Sequence, residues 1–411
     1  MLGREPSFNH EQGFDIAGSL MATGTDSSST PAEISLVRGG PFYRAQQAVG
    51  LIRPNQWNLG RRIALLIAVG WLPLFLITAL FNFGGLDSLI REYRIHSRML
   101  IAVPVLLVGE LLMESRFRVI MGHIRQADLL DASDLVRIDD LIATLVRVRD
   151  SYFPEFAILL LLFAHTATSY RGLVDAAPWL AHGSGADLHL TAAGWYAVVV
   201  STSIFQFLLG LALWRWLLWT FVAFKLSRQN LKLVPTHPDE HGGLGFLGLT
   251  SSAFAPVAFG ATAVIAATWR DDILHHGAHL LDFKLPAIVL LALTAVVALG
   301  PLVFFVPRLA ALRRKGILEY GILGQLHSTH FHEKWILHRV GHESEFLVAT
   351  EITTLANYGR AYETIEKMSP FLTDKVALYT LAAAVLIPAL PVILAQIPFA
   401  VVLSDVLKAL R

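Results

Sequence analysis

Two ionisable side chains stand inside long apolar runs. Glu110 sits in Leu106-Leu107-Val108-Gly109-Glu110-Leu111-Leu112, and Arg215 in Leu213-Trp214-Arg215-Trp216-Leu217. An ionised group placed in hydrocarbon costs roughly 2.5–3.5 kcal/mol on insertion scales, so it turns toward a partner, a wet cavity or the interface. Glu110 precedes Arg116 by six residues, which puts it about 9 Å above the nearer surface at helical rise. Arg215 reaches a similar depth, and the two are expected to pair. Such a pair would act as a proton or ion relay, or as a bridge between helices. An arginine can also extend its head group to the interface instead. His165 adds a titratable group in a third apolar run.

A second concentration of chemistry is the segment Thr236-His237-Pro238-Asp239-Glu240-His241-Gly242-Gly243-Leu244-Gly245-Phe246-Leu247-Gly248. It lacks the Gly-Lys-Ser/Thr of a phosphate-binding P-loop and follows no strand, which removes the nucleotide motifs. Pro238-Asp239 starts a turn and Gly242-Gly243 permits positive φ. Thr250, Ser251 or Ser252 would cap the helix that follows. A glycine-rich approach to a helix N-terminus exposes backbone N–H groups, so His237, Asp239, His241, Gly242, Gly243 and Gly245 form a candidate anion site. The plain alternative is a tight turn.

Two histidine-rich segments come third. In Arg270-Asp271-Asp272-Ile273-Leu274-His275-His276-Gly277-Ala278-His279, a helix would set Asp271, His275 and His279 on one face. Imidazole and carboxylate suit a divalent metal, although Gly277 weakens the helix. His327, His330 and His332 form the other set. Neither meets a fixed motif spacing. The sequence names no cofactor.

The elements that position these residues are membrane helices. Of 411 residues, 54% are hydrophobic and 16% charged, well below the quarter typical of soluble domains. The net charge of +1 sets up no field for nucleic acid. The absence of cysteine excludes disulfides, thiolate metal sites and cysteine nucleophiles. Seven spans are expected, near residues 63–81, 99–113, 156–170, 194–221, 254–269, 285–306 and 376–397. The predicted class is therefore an all-α polytopic membrane protein. Its first span, starting too late for a secretory signal, serves as the targeting signal.

Residues 1–36 are Ser-, Thr- and Gly-rich and read as a disordered tail. Residues 37–60 read as an interfacial segment. Residues 61–307 form a six-span core with a helical loop at 116–153, and residues 308–375 are a further helical segment outside the membrane. Residues 376–411 hold the last span and an interfacial helix, or a hairpin broken at Pro388, Pro391 or Pro398. With the N-terminus inside, most Lys and Arg flank the cytoplasmic ends. Only Arg91, Arg94, Arg98, Arg171, Arg270 and Lys284 fall outside, as the positive-inside rule expects. In the fifth span Ser252, Pro256 and Gly260 recur every four residues, marking a closely packed face.

Several pieces carry a resemblance: Arg61-Arg62 leading to Gly70-Trp71-Leu72-Pro73-Leu74, Pro104 with Gly109-Glu110, Arg147-Val148-Arg149-Asp150-Ser151, the His237-Pro238-Asp239 and Gly242-Gly243-Leu244-Gly245-Phe246 loop, and Ser369-Pro370-Phe371. Over residues 40–410 the chain resembles a group of uncharacterised bacterial multi-pass membrane proteins. The resemblance implies a bacterial inner-membrane location and no activity. Three readings stay open. The first is transport or permeation of a small solute or ion. The second is a scaffold or sensor binding partners through its cytoplasmic helices, and the third is a membrane-embedded enzyme acting on lipid, for which Ser151 and Ser251 are unaccompanied nucleophiles. The lipid bilayer is the expected partner; a homo-oligomer is left open.

Overall fold

A computed structural model describes residues 35–53, 57–169, 179–182, 189–337, 349–373 and 375–396. The chain is an all-α polytopic membrane protein. Six helices are long and apolar enough to cross a bilayer: α2 (Leu59–Phe81), α3 (Tyr93–Gln126), α6 (Ala192–Ser227), α7 (Gly245–His275), α8 (Leu280–Val303) and α11 (Lys375–Gln396). Outside them lie α1 (Gly40–Ala48), α4 (Ala132–Asp150), α9 (Val306–Phe331) and α10 (Ala349–Lys367). Two-residue strands at Ala181–His182 and His189–Leu190 form a small hairpin.

The remaining helix, α5 (Phe153–Ser169), is 17 residues long, or about 25 Å. Its flanks show that it also traverses the bundle. Just before it, Asp150 accepts a hydrogen bond from Gly40 N, at the end of the molecule where α2 begins. After it, Trp179 and Leu180 pack with Leu74, Leu89 and Ala193 at the other end. His165 and Thr166, toward the C-terminal end of α5, line one cavity with Trp179 and Leu180, so among the described residues α5 runs beside the six longer spans. The end holding residues 236–248 is called here the loop end; the α2–α3 connection and Trp179 define the opposite end.

Several spans exceed their hydropathic length. α3 runs from Tyr93 to Gln126 and α7 from Gly245 to His275, although their apolar windows suggested short helices. The extra turns carry charges that are paired or buried within protein. α7 is the central helix: 61% of its apolar window is buried, against 17% for α2 and for α8. Its small residues allow close approach. Gly260 lies against the Ala102 carbonyl, and Gly109 of α3 against Pro256. Ala255 packs with Ala298, Leu381 and Ala384 of α8 and α11. α11 stays one helix through Pro388 and Pro391; the alternative break at Pro398 and the interfacial helix after it lie outside the described residues.

Two wide π-helical turns interrupt the bundle, at Ser97–Ala102 of α3 and Ala197–Ser201 of α6. The first ends just before Pro104, which cannot donate the next helical hydrogen bond. The expected tail falls almost wholly outside the described residues. Its last positions, Ser35 and Leu36, are buried, because Ser35 Oγ donates to Glu114 at 2.6 Å.

Candidate functional site

Glu110 and Arg215 meet. Arg215 Nη2 donates to Glu110 Oε1 at 3.0 Å. The other carboxylate oxygen accepts from Arg62 Nη2 at 2.7 Å. Arg62 is 1% exposed; its Nε donates to Gln46 Oε1 at 2.6 Å, and its guanidinium lies 5.9 Å from the Trp57 ring. One carboxylate thus clasps α1, α2, α3 and α6. Glu114, one turn on, takes Ser35 and Arg118 (3.1 Å). Charge-assisted bonds of this kind are roughly twice as strong as neutral ones. Arg62 stands at the edge of its apolar run, where hydropathy alone gives it no partner. Its place in the first turn of α2, level with Glu110, was the available signal.

The glycine loop makes an anion site and fills it itself. Asp239 accepts backbone N–H groups from His241 (2.9 Å), Gly243 (3.1 Å) and Gly245 (2.8 Å), and His237 Nδ1 lies 2.8 Å from its Oδ1. Burial pushes the Asp239 carboxyl up, but the bonds from Gly245, His241, Gly243 and His237 outweigh it and hold it below its ordinary value. Gly242 (φ +66°) and Gly243 (φ +95°) turn the chain so that these N–H groups converge. The N–H groups of His241, Gly243 and Gly245 are thus taken up by the Asp239 carboxylate. The loop docks on the stretch before α11. Ser369 N donates to the Glu240 carbonyl at 3.0 Å, and His241 Nδ1 lies 3.1 Å from the Ser369 carbonyl. Thr250 and Ser252 donate to the Leu247 and Leu249 carbonyls instead of capping a helix.

Asp271, His275 and His279 do not converge. His275 Nδ1 reaches Asp271 at 3.0 Å, but the helix ends at His275 and Gly277 adopts φ +68°. His279 is carried away to start the next turn, where Asp282 accepts from its N–H. No set of three His, Asp or Glu side chains fit to hold a metal occurs among the described residues. Ser151 Oγ donates to the Val148 carbonyl and Ser251 Oγ is buried without a partner. Among the described residues, neither serine bonds to a histidine or carboxylate.

A feature not foreseen is a cavity of about 210 Å³ between α3, α5 and α6 at the opposite end. Its polar lining includes Glu92, Arg94, Arg98, His165, Thr166, Thr202 and Gln206. Both π-turns border it, contributing Arg98 on one side and Ala197 and Val198 on the other. Such turns are rare and occur often at functional sites. Glu92 and Arg94 pair at 2.7 Å, and Arg94 also lies 3.5 Å from Asp271. Arg98 donates to Thr202 Oγ1 at 2.7 Å. The sequence placed Arg98 in a loop because the apolar window opens at Met99; the helix actually starts six residues earlier, at Tyr93.

The helices α3 and α6 both run from the opposite end to the loop end, and they are bridged at two levels. Arg98–Thr202 links them beside the cavity and Glu110–Arg215 links them deeper. The separations of twelve and thirteen residues correspond to roughly 18 and 20 Å of rise. Below the clasp, Arg116, Arg215 and Trp219 enclose only about 30 Å³, the share of one water. Compared with family models, curated proteins and solved structures, the chain matches none.

Proposed function

We propose that this integral membrane protein moves a small solute or ion across the bilayer. One observation carries the reading: the same helix pair lines a polar cavity at one end and is clasped shut by Glu110, Arg62 and Arg215 toward the other. A binding space at one end of helices that are bridged toward the other end suits alternating access. In this reading Glu110 is a fixed counter-charge and latch, since both its oxygens are engaged by guanidinium groups. The basic residues around the loop end, among them Arg116, Arg125, Arg228, Lys232 and Arg308, support placing that end in the cytoplasm of a bacterial inner membrane.

The test is solute flux into proteoliposomes across a panel of anions, cations and neutral solutes. It is combined with labelling of Ala253→Cys, which lines the small space below the clasp. A transported solute should change the labelling rate. If no solute crosses and labelling never responds, the reading fails.

A second reading has its own observation. Leu318, Ile322, Leu323 and Leu326 form an exposed apolar stripe on α9, outside the spans, where a scaffold would bind a partner or a second copy. Cross-linking at Ile322→Cys in native membranes tests it; a monomer with no adduct removes it.

A further inference from the structure

We propose that the cavity bordered by the two π-turns is a binding site for a small anion that also carries a hydrogen-bond donor, such as a short hydroxy acid or a hydrogen phosphate. The proposal rests on the transport reading and specifies its substrate class.

Charge is the first argument. Of the charged groups lining the cavity, Glu92 and Arg94 neutralise each other at 2.7 Å, with Asp271 adding a second carboxylate 3.5 Å from Arg94. Arg98 has no carboxylate within ion-pair distance among the described residues; it donates to the neutral Thr202 hydroxyl. Glu92 and Asp271 match the two guanidiniums in number, but both carboxylates are drawn to Arg94, and Arg98 has no direct counter-ion among the described residues. A cation held inside a helix bundle without a counter-ion is costly, and an anion in the space beside it removes that cost. A cationic solute would meet Arg98 at once.

The second argument is the unmet hydrogen-bonding capacity. Arg98 Nε and Gln206 Oε1 are both buried and without partners. The guanidinium needs acceptors, whereas the amide oxygen needs a donor. Both residues line the cavity, so a ligand that is anionic at one end and bears O–H or N–H at the other would complete both once their side chains turn toward it. Unmet groups of this kind discriminate strongly between ligands that do and do not complete them.

Size is the third. The cavity of about 210 Å³ corresponds to about seven waters at roughly 30 Å³ each, which suits a solute of a few heavy atoms. The wide turns at Ser97–Ala102 and Ala197–Ser201 set the facing walls, so the space is built into both helices.

The experiment is calorimetric binding to the purified full chain in detergent, with lactate, acetate, inorganic phosphate, glycerol and ethylammonium as probes. The wild type should bind at least one anion, and neither glycerol nor ethylammonium. Arg98→Gln should weaken anion binding at least tenfold, and Arg98→Lys by less. Gln206→Leu should remove the preference for lactate over acetate. Should Arg98→Gln fail to fold, Arg98→Lys and Gln206→Leu carry the same test. Equal anion affinity in wild type and Arg98→Gln, or no anion binding with a Kd of about 1 mM or tighter, overturns the proposal. Anion binding without flux would retire transport and leave the site standing. Flux of glycerol or ethylammonium with no anion binding would do the reverse.

Discussion

Glu110 holds two guanidinium groups inside the bundle, and the consequence of losing it is specific. Removing one partner of a buried ion pair costs roughly 3–5 kcal/mol, because the charge left behind has no compensation. Glu110→Gln leaves Arg62 and Arg215 facing each other and should lower the unfolding midpoint in detergent by a corresponding step. Adding Arg62→Gln to it should recover part of the loss, since residues in one network do not act additively. A double variant no better than the single one would mean the clasp is not a unit. Asp239 makes a second prediction at this scale. Its carboxyl is held below its ordinary value by four donors. A depressed folded value means that the stabilisation is complete above the unfolded carboxylate value, near 3.9, and is lost as pH falls through the folded one. Loop-end stability should thus be flat near neutrality and drop only in acid. Asp239→Ala should cost roughly 1–3 kcal/mol through its orphaned N–H groups and abolish that acid step in thermal scans. Glu110 and Arg215 were legible because charge inside an apolar run stands out. Arg62 and Arg98 were not, since a hydropathy window ends at the first charge it meets and assigns that charge to a loop. The glycines of the loop were legible as an anion cradle; that a residue of the same loop occupies it is a matter of three-dimensional register that the string does not display.

At the scale of elements, the number and class of helices could be read from apolar runs, because the bilayer length is a hard constraint. The lengths of α3 and α7 could not, because their polar ends are sheltered by other helices. Close approach between elements follows the same division. Small residues at four-residue spacing announced the tight face of α7, and Gly260 does lie on the Ala102 carbonyl. Gly194 gave no comparable signal, being isolated at the start of α6. A Cβ there would stand 2.0 Å from the Leu180 carbonyl oxygen, a backbone atom that cannot step aside. Leu180 also lines the cavity. Gly194→Ala should therefore push the hairpin at Ala181–His182 away from α6, destabilise that end by roughly 1–3 kcal/mol as overpacking does, and weaken whatever the cavity binds. Gly277→Ala, at the break after α7 where nothing lies within 4 Å, is the contrasting control: its cost is confined to the positive φ, and ligand binding should be unchanged.

For the whole molecule, the two bridges between α3 and α6 make one testable mechanical statement. If the clasp is the latch of a transport cycle, weakening it should expose the loop end and close the opposite end together. Arg215→Gln removes one of the two cations on Glu110. Loss of several kcal/mol from one conformation, at 1.4 kcal/mol per tenfold, shifts the balance between conformations by at least about tenfold. The absence of cysteine makes introduced thiols the sole reporters. Ala253→Cys reads the space below the clasp and Val198→Cys reads the cavity. In the Arg215→Gln background Ala253→Cys should label faster and Val198→Cys slower. Faster labelling at both would mean that the bundle has merely loosened, and the clasp would then be a structural bridge without a gating role. Opposite changes at the cavity and below the clasp require the helices to move as a pair, which a local loss of packing does not produce.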